Sequence, residues 1–167
     1  MKAKLIVEGK EFPIEIQDPE LEKLLKPHKK TGYERLEENC DYFYEDAEGG
    51  SCVAMEMNRD GDNKSYDVAN YYSDRTVAEN NARADKLMRQ LRRFAVEHRE
   101  NDVDWHSMSK KYYIRFGHGD LSLWAETEIM GQGFGMITFD TKEACELAIN
   151  TFRKELIWYF TEYKDSL

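Results

Sequence analysis

Cysteine is scarce in this chain: 167 residues hold only Cys40, Cys52 and Cys145, and no two stand in a Cys-x-x-Cys pair. An odd, scattered trio leaves no disulfide framework and no four-thiolate zinc site. It predicts buried thiols in a reducing compartment. Histidine is nearly as sparse. His28, His98, His106 and His118 fall in no His-Glu-x-x-His or zinc-finger frame, so no metal centre is expected. No serine occupies a Gly-x-Ser-x-Gly elbow. Long apolar runs are missing too, since no window approaches the roughly 20 apolar residues of a membrane helix. The opening Met1–Val7 meets charged Glu8 at once, without the apolar run of a secretory signal. These absences predict a cytoplasmic protein without metal or cofactor, and they point away from an enzyme.

What is present is a globular composition, 41% hydrophobic and 13% aromatic, with the aromatics mostly Tyr and Phe. The net charge of −9 is unevenly spread: residues 37–79 carry −9, against +1 for 1–36, +3 for 80–111 and −4 for 112–167. Such a balance disfavours duplex nucleic acid, whose phosphates call for lysine and arginine, and favours a basic partner. It also serves plain solubility.

Lys4–Val7 and Phe12–Ile16 alternate apolar with charged residues around Glu8-Gly9-Lys10, the pattern of a hairpin. Asp18 caps a short helix with Pro19 at its first position, running to about Lys26. Residues 27–32 then form a basic linker. From Cys40 a meander is expected, with strands at Asp41–Tyr44, Ser51–Met57 and Ser65–Tyr72. Its turns fall at Asp46–Gly50 and Asp60–Asn63, the second an Asp-Gly hairpin signal. Ser73 or Asp74 caps a long helix to Arg99, along which Val77, Ala84, Leu87, Met88, Leu91, Phe94 and Ala95 recur at threes and fours.

Val103-Asp104-Trp105 begins a connector, with Trp105 plugging the gap between two lobes. Strands follow at Lys111–Phe116, Leu121–Glu126 and Met136–Phe139, turned at His118–Asp120 and Gly131–Gly133. A last helix over 141–163 has Asp140 and Glu143 in capping-box spacing and an apolar face that includes Ala144, Leu147, Ala148, Phe152 and Leu156. Strands-then-helix is therefore used twice. The expected class is α+β: two β-β-β-α units, each an antiparallel sheet covered by a long helix, preceded by a β-hairpin and a short helix. The divisions are 1–36, 37–101 and 102–167, packed as one assembly.

Asp60-Gly61-Asp62-Asn63 begins like a calcium loop, but its twelfth position is Tyr71 instead of glutamate, so it reads as a turn. Gly131-x-Gly-x-Gly135 precedes a strand and opens no helix, and it too reads as a turn. Two constellations remain. Glu37, Glu38, Asp41, Glu45, Asp46 and Glu48 are the densest acidic stretch, a candidate partner-binding surface or else only solvated surface. Arg89, Arg92, Arg93 and Arg99 share one side of the long helix, with Tyr71 and Tyr72 near its start, as in single-strand nucleic-acid platforms. Asp85, Glu97 and Glu100 interleave with them, which is the pattern of local ion pairs.

The stretches YYSDRTVAENNARADKLMRQLRRFA, Asp104-Trp105, Lys111-Tyr112-Tyr113-Ile114, ITFDTKEACELAI and ELIWYFTEYK resemble a set of uncharacterised small proteins. Those proteins are encoded by phages and prophages of Gram-positive, Clostridia-like bacteria. The resemblance spans about Tyr33 to Lys164, and the opening MKAKLIVEGKEFPIEIQDPELEKLL is similar to the start of such proteins. The shared motifs are caps, strand edges and core aromatics, so no catalytic residue is carried over. The resemblance implies a phage accessory protein in the host cytoplasm that acts by occupying a host protein, as anti-CRISPR inhibitors do. The expected function is inhibition of a defence nuclease, a Cas9-type CRISPR effector, with the acidic stretch competing for a channel that holds phosphate. Two other readings stay open. One is a nucleic-acid-binding accessory protein using Arg89, Arg92, Arg93 and Arg99. The other is a structural or scaffolding phage protein that forms homo-oligomers.

Overall fold

The computed structural model describes residues 2–7, 10–15, 30–101, 104, 106 and 108–163. The chain divides into two compact units, Met1–Thr31 and Gly32–Leu167. In the first, β1 (Lys2–Val7) pairs antiparallel with β2 (Lys10–Glu15), in a register that sets Leu5 opposite Phe12. The expected Glu8-Gly9 turn, the helix at 18–26, residues 27–29 of the linker and the Trp105 plug all lie outside the described residues.

The second unit is α+β. Aromatic and apolar residues that suit a pleated surface make β3 (Asp41–Glu45) and β4 (Ser51–Met55), an antiparallel pair in which Phe43 faces Val53. The turn between them is closed by Asp46, whose Oδ1 accepts from the Gly50 N–H at 2.8 Å, and Gly49 takes φ +80°. An L side chain would be strained there.

The expected third strand is not formed. Asp60–Asp67 is a helix, α1, where the sequence pattern reads as an Asp-Gly turn and the start of a strand. Asp62 holds its first turn, with Oδ2 accepting from the N–H groups of Met57 (3.1 Å) and Arg59 (2.9 Å). A carboxylate is favourable at that end of a helix dipole. The other end closes as a Schellman motif: Ala69 N–H bonds to Tyr66 O at 3.0 Å and Asn70 N–H to Ser65 O at 2.9 Å, with Ala69 at φ +57°. Glycine usually marks that left-handed position, so alanine leaves the stop invisible in the sequence. What remains of the strand is a single bridge, in which Phe43 and Tyr72 exchange N–H···O bonds of 2.8 Å. Beside it the Asn70 amide mimics a strand backbone, accepting from Glu45 N–H (2.7 Å) and donating to Glu45 O (3.0 Å).

The long helix, α2 (Arg75–Glu97), starts where expected, capped by Asp74, whose Oδ1 accepts from Thr76 N–H at 2.7 Å and Val77 N–H at 3.2 Å. Its buried face is Ala78, Ala82, Ala84, Leu87, Leu91 and Ala95, while Val77 is only half-buried. β5 (Lys111–Gly117), β6 (Ser122–Glu128) and β7 (Thr138–Phe139) form an antiparallel sheet in the order β6-β5-β7.

α3 (Lys142–Trp158) is capped by Thr141, whose Oγ1 accepts from Ala144 N–H at 3.2 Å, and not by the expected Asp140–Glu143 box. Asp140 is engaged elsewhere: its Oδ2 accepts from Glu100 N–H (2.8 Å) and Asn101 N–H (2.7 Å), tying the chain beyond α2 to the start of α3. The helix gives way to a π-helical turn at Tyr159–Tyr163.

Leu87, Leu91 and Ala95 from α2 meet Phe139 and the α3 residues Ala144, Cys145, Ala148, Ile149 and Leu156 in one core. Each of the larger side chains contributes about 1.5–3 kcal/mol by leaving water. Residues 37–101 and 102–167 thus share a core, although their strands belong to separate sheets. Two sequence expectations are corrected by exposure. Leu147 is 48% exposed, and of the three thiols only Cys145 is buried, with Cys40 on the surface.

Candidate functional site

The second unit opens with a segment held down by a buried ion pair. Glu56, just past β4, is 2% exposed. Its carboxylate accepts from Arg35 Nε (2.7 Å), Arg35 Nη2 (2.9 Å), Tyr71 Oη (2.9 Å) and Asn58 N–H (2.7 Å). The Arg35 guanidinium, ahead of the other donors and against the cost of burial, holds this carboxyl below its ordinary range. The Tyr71 hydroxyl is pushed up to about 12, by burial first and by its hydrogen bond to Glu56. Tyr71 also accepts from Leu36 N–H at 3.2 Å and stacks on Tyr42 at 4.1 Å, and Tyr42 donates to Asp62 at 3.1 Å. Farther up the segment, Ser73 donates to Glu34 (2.7 Å) and Asn81 to Tyr33 Oη (2.9 Å). Every one of these groups is engaged within the protein, so the network anchors chain and leaves no vacant acid or base.

That anchored segment ends in a tight turn. Cys40 N–H bonds to Glu37 O at 3.2 Å, and Asn39 sits at φ +70°. Asn39 N–H to Glu56 O (2.8 Å) and Glu56 N–H to Cys40 O (2.9 Å) lock the turn against the end of β4. Glu37 and Glu38 in the turn, and Asp41 at the first position of β3, are exposed and have no ion pair among the described residues. Asp60, also exposed, opens α1 from the same end of the strand pair.

The other acidic candidates are placed differently. Glu45 is bound to Arg89 at 2.9 Å, with its side chain 9% exposed; burial pushes its carboxyl up, against the pull of Arg89. Asp46 is occupied by its turn, and the Gly50 amide foremost holds it below the usual carboxylate range. Glu48 is exposed but lies in the Asp46–Gly50 turn, past the far end of β3, which a strand rise of about 3.3 Å per residue puts roughly 13 Å from Asp41. The acidic stretch therefore resolves into one three-residue edge, two internally used carboxylates and one isolated residue.

The arginine candidates divide as well. Arg89 is taken by Glu45, and Arg93 lies 3.7 Å from Glu97. Elsewhere on α2, Arg75 pairs with Glu79, and Arg83 pairs with Glu155 at 2.7 Å while lying 3.8 Å over the Trp158 ring. Arg92 and Arg99 are exposed and have no ion-pair partner among the described residues. Tyr71 and Tyr72 are both buried, so neither can stack on a base as a surface platform would require.

Among the described residues, no three His, Cys, Asp or Glu side chains converge to hold a metal ion. No described helix is long and apolar enough to cross a membrane. No protein-family model matches the chain, and no curated protein or solved structure matches it either. The Arg35–Glu56–Tyr71 network answers to no motif in the sequence. Glutamate in an otherwise apolar strand tail, Val53-Ala54-Met55-Glu56-Met57, was the one available signal that a charge would be buried there.

Proposed function

We propose that the protein is a phage-encoded binding protein that inhibits a host defence nuclease, a Cas9-type CRISPR effector, by covering part of its basic nucleic-acid channel. The observation that carries this reading is the acidic edge. Glu37, Glu38 and Asp41 are exposed, lack ion pairs among the described residues, and stand on a base fixed by Arg35, Glu56 and Tyr71. A fixed cluster of carboxylates gives up less freedom on docking than a flexible acidic tail would. It faces a partner's guanidinium and ammonium groups with the charge that phosphate would supply. The sequence resemblance to phage and prophage proteins supports the biological setting. The engaged state of the polar network supports binding in preference to catalysis. The nucleic-acid reading has less behind it, because Arg89 and Arg93 face Glu45 and Glu97 and the nearby tyrosines are buried.

The test is cleavage of a target duplex by a purified effector, with the protein added before or after guide RNA. The reading predicts inhibition that weakens as salt rises and is lost in the variant E37K/E38K/D41K. Undiminished cleavage at large molar excess would contradict it.

A further inference from the structure

A groove runs along α2 on residues that the acidic edge does not use. Its first part is an apolar hollow of about 290 Å³ whose lining includes Leu87, Leu91 and Phe160. Its second part, about 300 Å³, lies one turn farther along the same helix and is lined by Arg92, Val96 and Arg99. The segment Gly135–Ile137 borders both parts, so they are successive stretches of one track.

Four features set this track apart from ordinary surface. Among the described residues, Arg92 and Arg99 are the only charged lining of the second part, and the first part has none. Arg75, Arg83, Arg89 and Arg93 each have a carboxylate partner, whereas these two have none among the described residues of a chain whose net charge is −9. Phe134 stands fully exposed beside the hollow, between Gly133 and Gly135, the latter at φ +73°. The π-helical turn begins at Tyr159 and brings Phe160 against Phe116, ring on ring at 4.9 Å, as part of the hollow's wall. Departures of this kind from regular helix recur at functional sites.

We propose that this groove binds a small amphipathic anion, with its apolar body seated against Leu87, Leu91 and Phe160 and a carboxylate or equivalent group bridging Arg92 and Arg99. The charge of the lining selects the ligand: two guanidiniums in a described lining that holds no carboxylate favour an anion, and guanidinium fits a carboxylate through paired N–H donors. The hollow sits at the small end of ligand pockets, which run from about 300 to 1,000 Å³. That size suits a medium-chain fatty carboxylate or a compact aromatic acid, and not a dinucleotide. Phe134, carried between glycines, closes over the seated body and so takes its ring out of water. A nucleic-acid strand fits less well, since it needs cations spaced along its backbone and the described lining of this track supplies two, both in the second part.

The experiment titrates the full chain with decanoate below its micelle concentration, and separately with decyltrimethylammonium, inorganic phosphate and a short single-stranded oligonucleotide. Calorimetry gives the affinities and amide NMR shifts locate the site. Decanoate is expected to bind with shifts at residues 87–99 and 133–137, while the cationic amphiphile and phosphate bind at least about tenfold more weakly. R92Q/R99Q should weaken decanoate about tenfold, since each guanidinium is surface-exposed and contributes modestly. F134A should weaken it a few fold without affecting folding, because that ring is exposed. Failure of decanoate to bind, equal binding of the two amphiphiles, or an affinity indifferent to R92Q/R99Q would overturn the proposal. Oligonucleotide binding tighter than decanoate and abolished by R92Q/R99Q would overturn it in favour of a nucleic-acid face. None of these outcomes depends on the acidic edge.

Discussion

Replacing Glu56 by glutamine tests whether the buried ion pair is what fixes the acidic edge. The amide keeps the shape of the side chain and one carbonyl oxygen, enough to go on accepting from Tyr71 or from Asn58 N–H. It cannot serve both Arg35 contacts: Nε and Nη2, at 2.7 and 2.9 Å, both lose their anion, and one of them would meet an N–H₂ group. Bonds to charged groups contribute about 1.5–3 kcal/mol each, and breaking a buried pair costs about 3–5 kcal/mol. The Arg35 side chain is 28% exposed and can turn partly to water, which favours the lower end. A loss of about 3 kcal/mol is therefore expected, a large part of the roughly 5–15 kcal/mol that holds a domain folded.

Urea unfolding followed by circular dichroism reads this directly, and acid supplies a second check. Arg35 holds the folded Glu56 carboxyl below its ordinary 4.5, so the native state favours the ionised form. The stabilisation is then fully present above that ordinary value and is lost as pH falls through the lower folded value. The gap between wild type and E56Q should accordingly close in acid. A difference under about 1 kcal/mol at neutral pH, within the range of unremarkable substitutions, would refute the assignment. So would a gap that stays constant into acid.

Three further outcomes follow from particular contacts. A thiol reagent should label exposed Cys40 in the native protein and spare Cys145, which is 0% exposed and whose thiol burial pushes up to about 12; mass spectrometry showing equal labelling would mean that the shared core is open. D74A removes the acceptor for Thr76 and Val77 N–H and should cost about 1 kcal/mol, read as a lower urea midpoint at unchanged slope. R89Q should move the Glu45 titration further up in carboxyl NMR, because burial already raises it and Arg89 is what opposes that rise. An unmoved titration would mean that the Glu45–Arg89 pair is not formed in solution.

The sequence was legible where periodicity and caps agree. α2 announces itself through Asp74 and a stripe at threes and fours, and β5 and β6 through alternation between clear turns. α1 was illegible because its start looks like an Asp-Gly turn and its end carries Ala69 in a left-handed conformation that glycine usually marks. The third strand failed for a related reason: once α1 takes residues 60–67, only Tyr72 and the Asn70 side chain are left to pair with β3. The acidic candidates were recognisable as a stretch but not as a surface. What separates Glu45 from Glu37 is Arg89, which lies 44 residues beyond Glu45 and is brought to it only by packing. The Arg35–Glu56–Tyr71 network is likewise a product of tertiary structure, joining residues 15 and 21 positions apart.

The most direct test of the acidic edge is the affinity of the full chain for a purified Cas9-type effector, measured with and without guide RNA across a series of salt concentrations. Wild type is compared with E37K/E38K/D41K and with E48K. The account predicts that wild-type binding weakens as salt rises. It predicts that the triple reversal weakens binding and flattens that dependence, and that E48K, at the far end of the strand pair, changes neither. An affinity untouched by the triple reversal would contradict it.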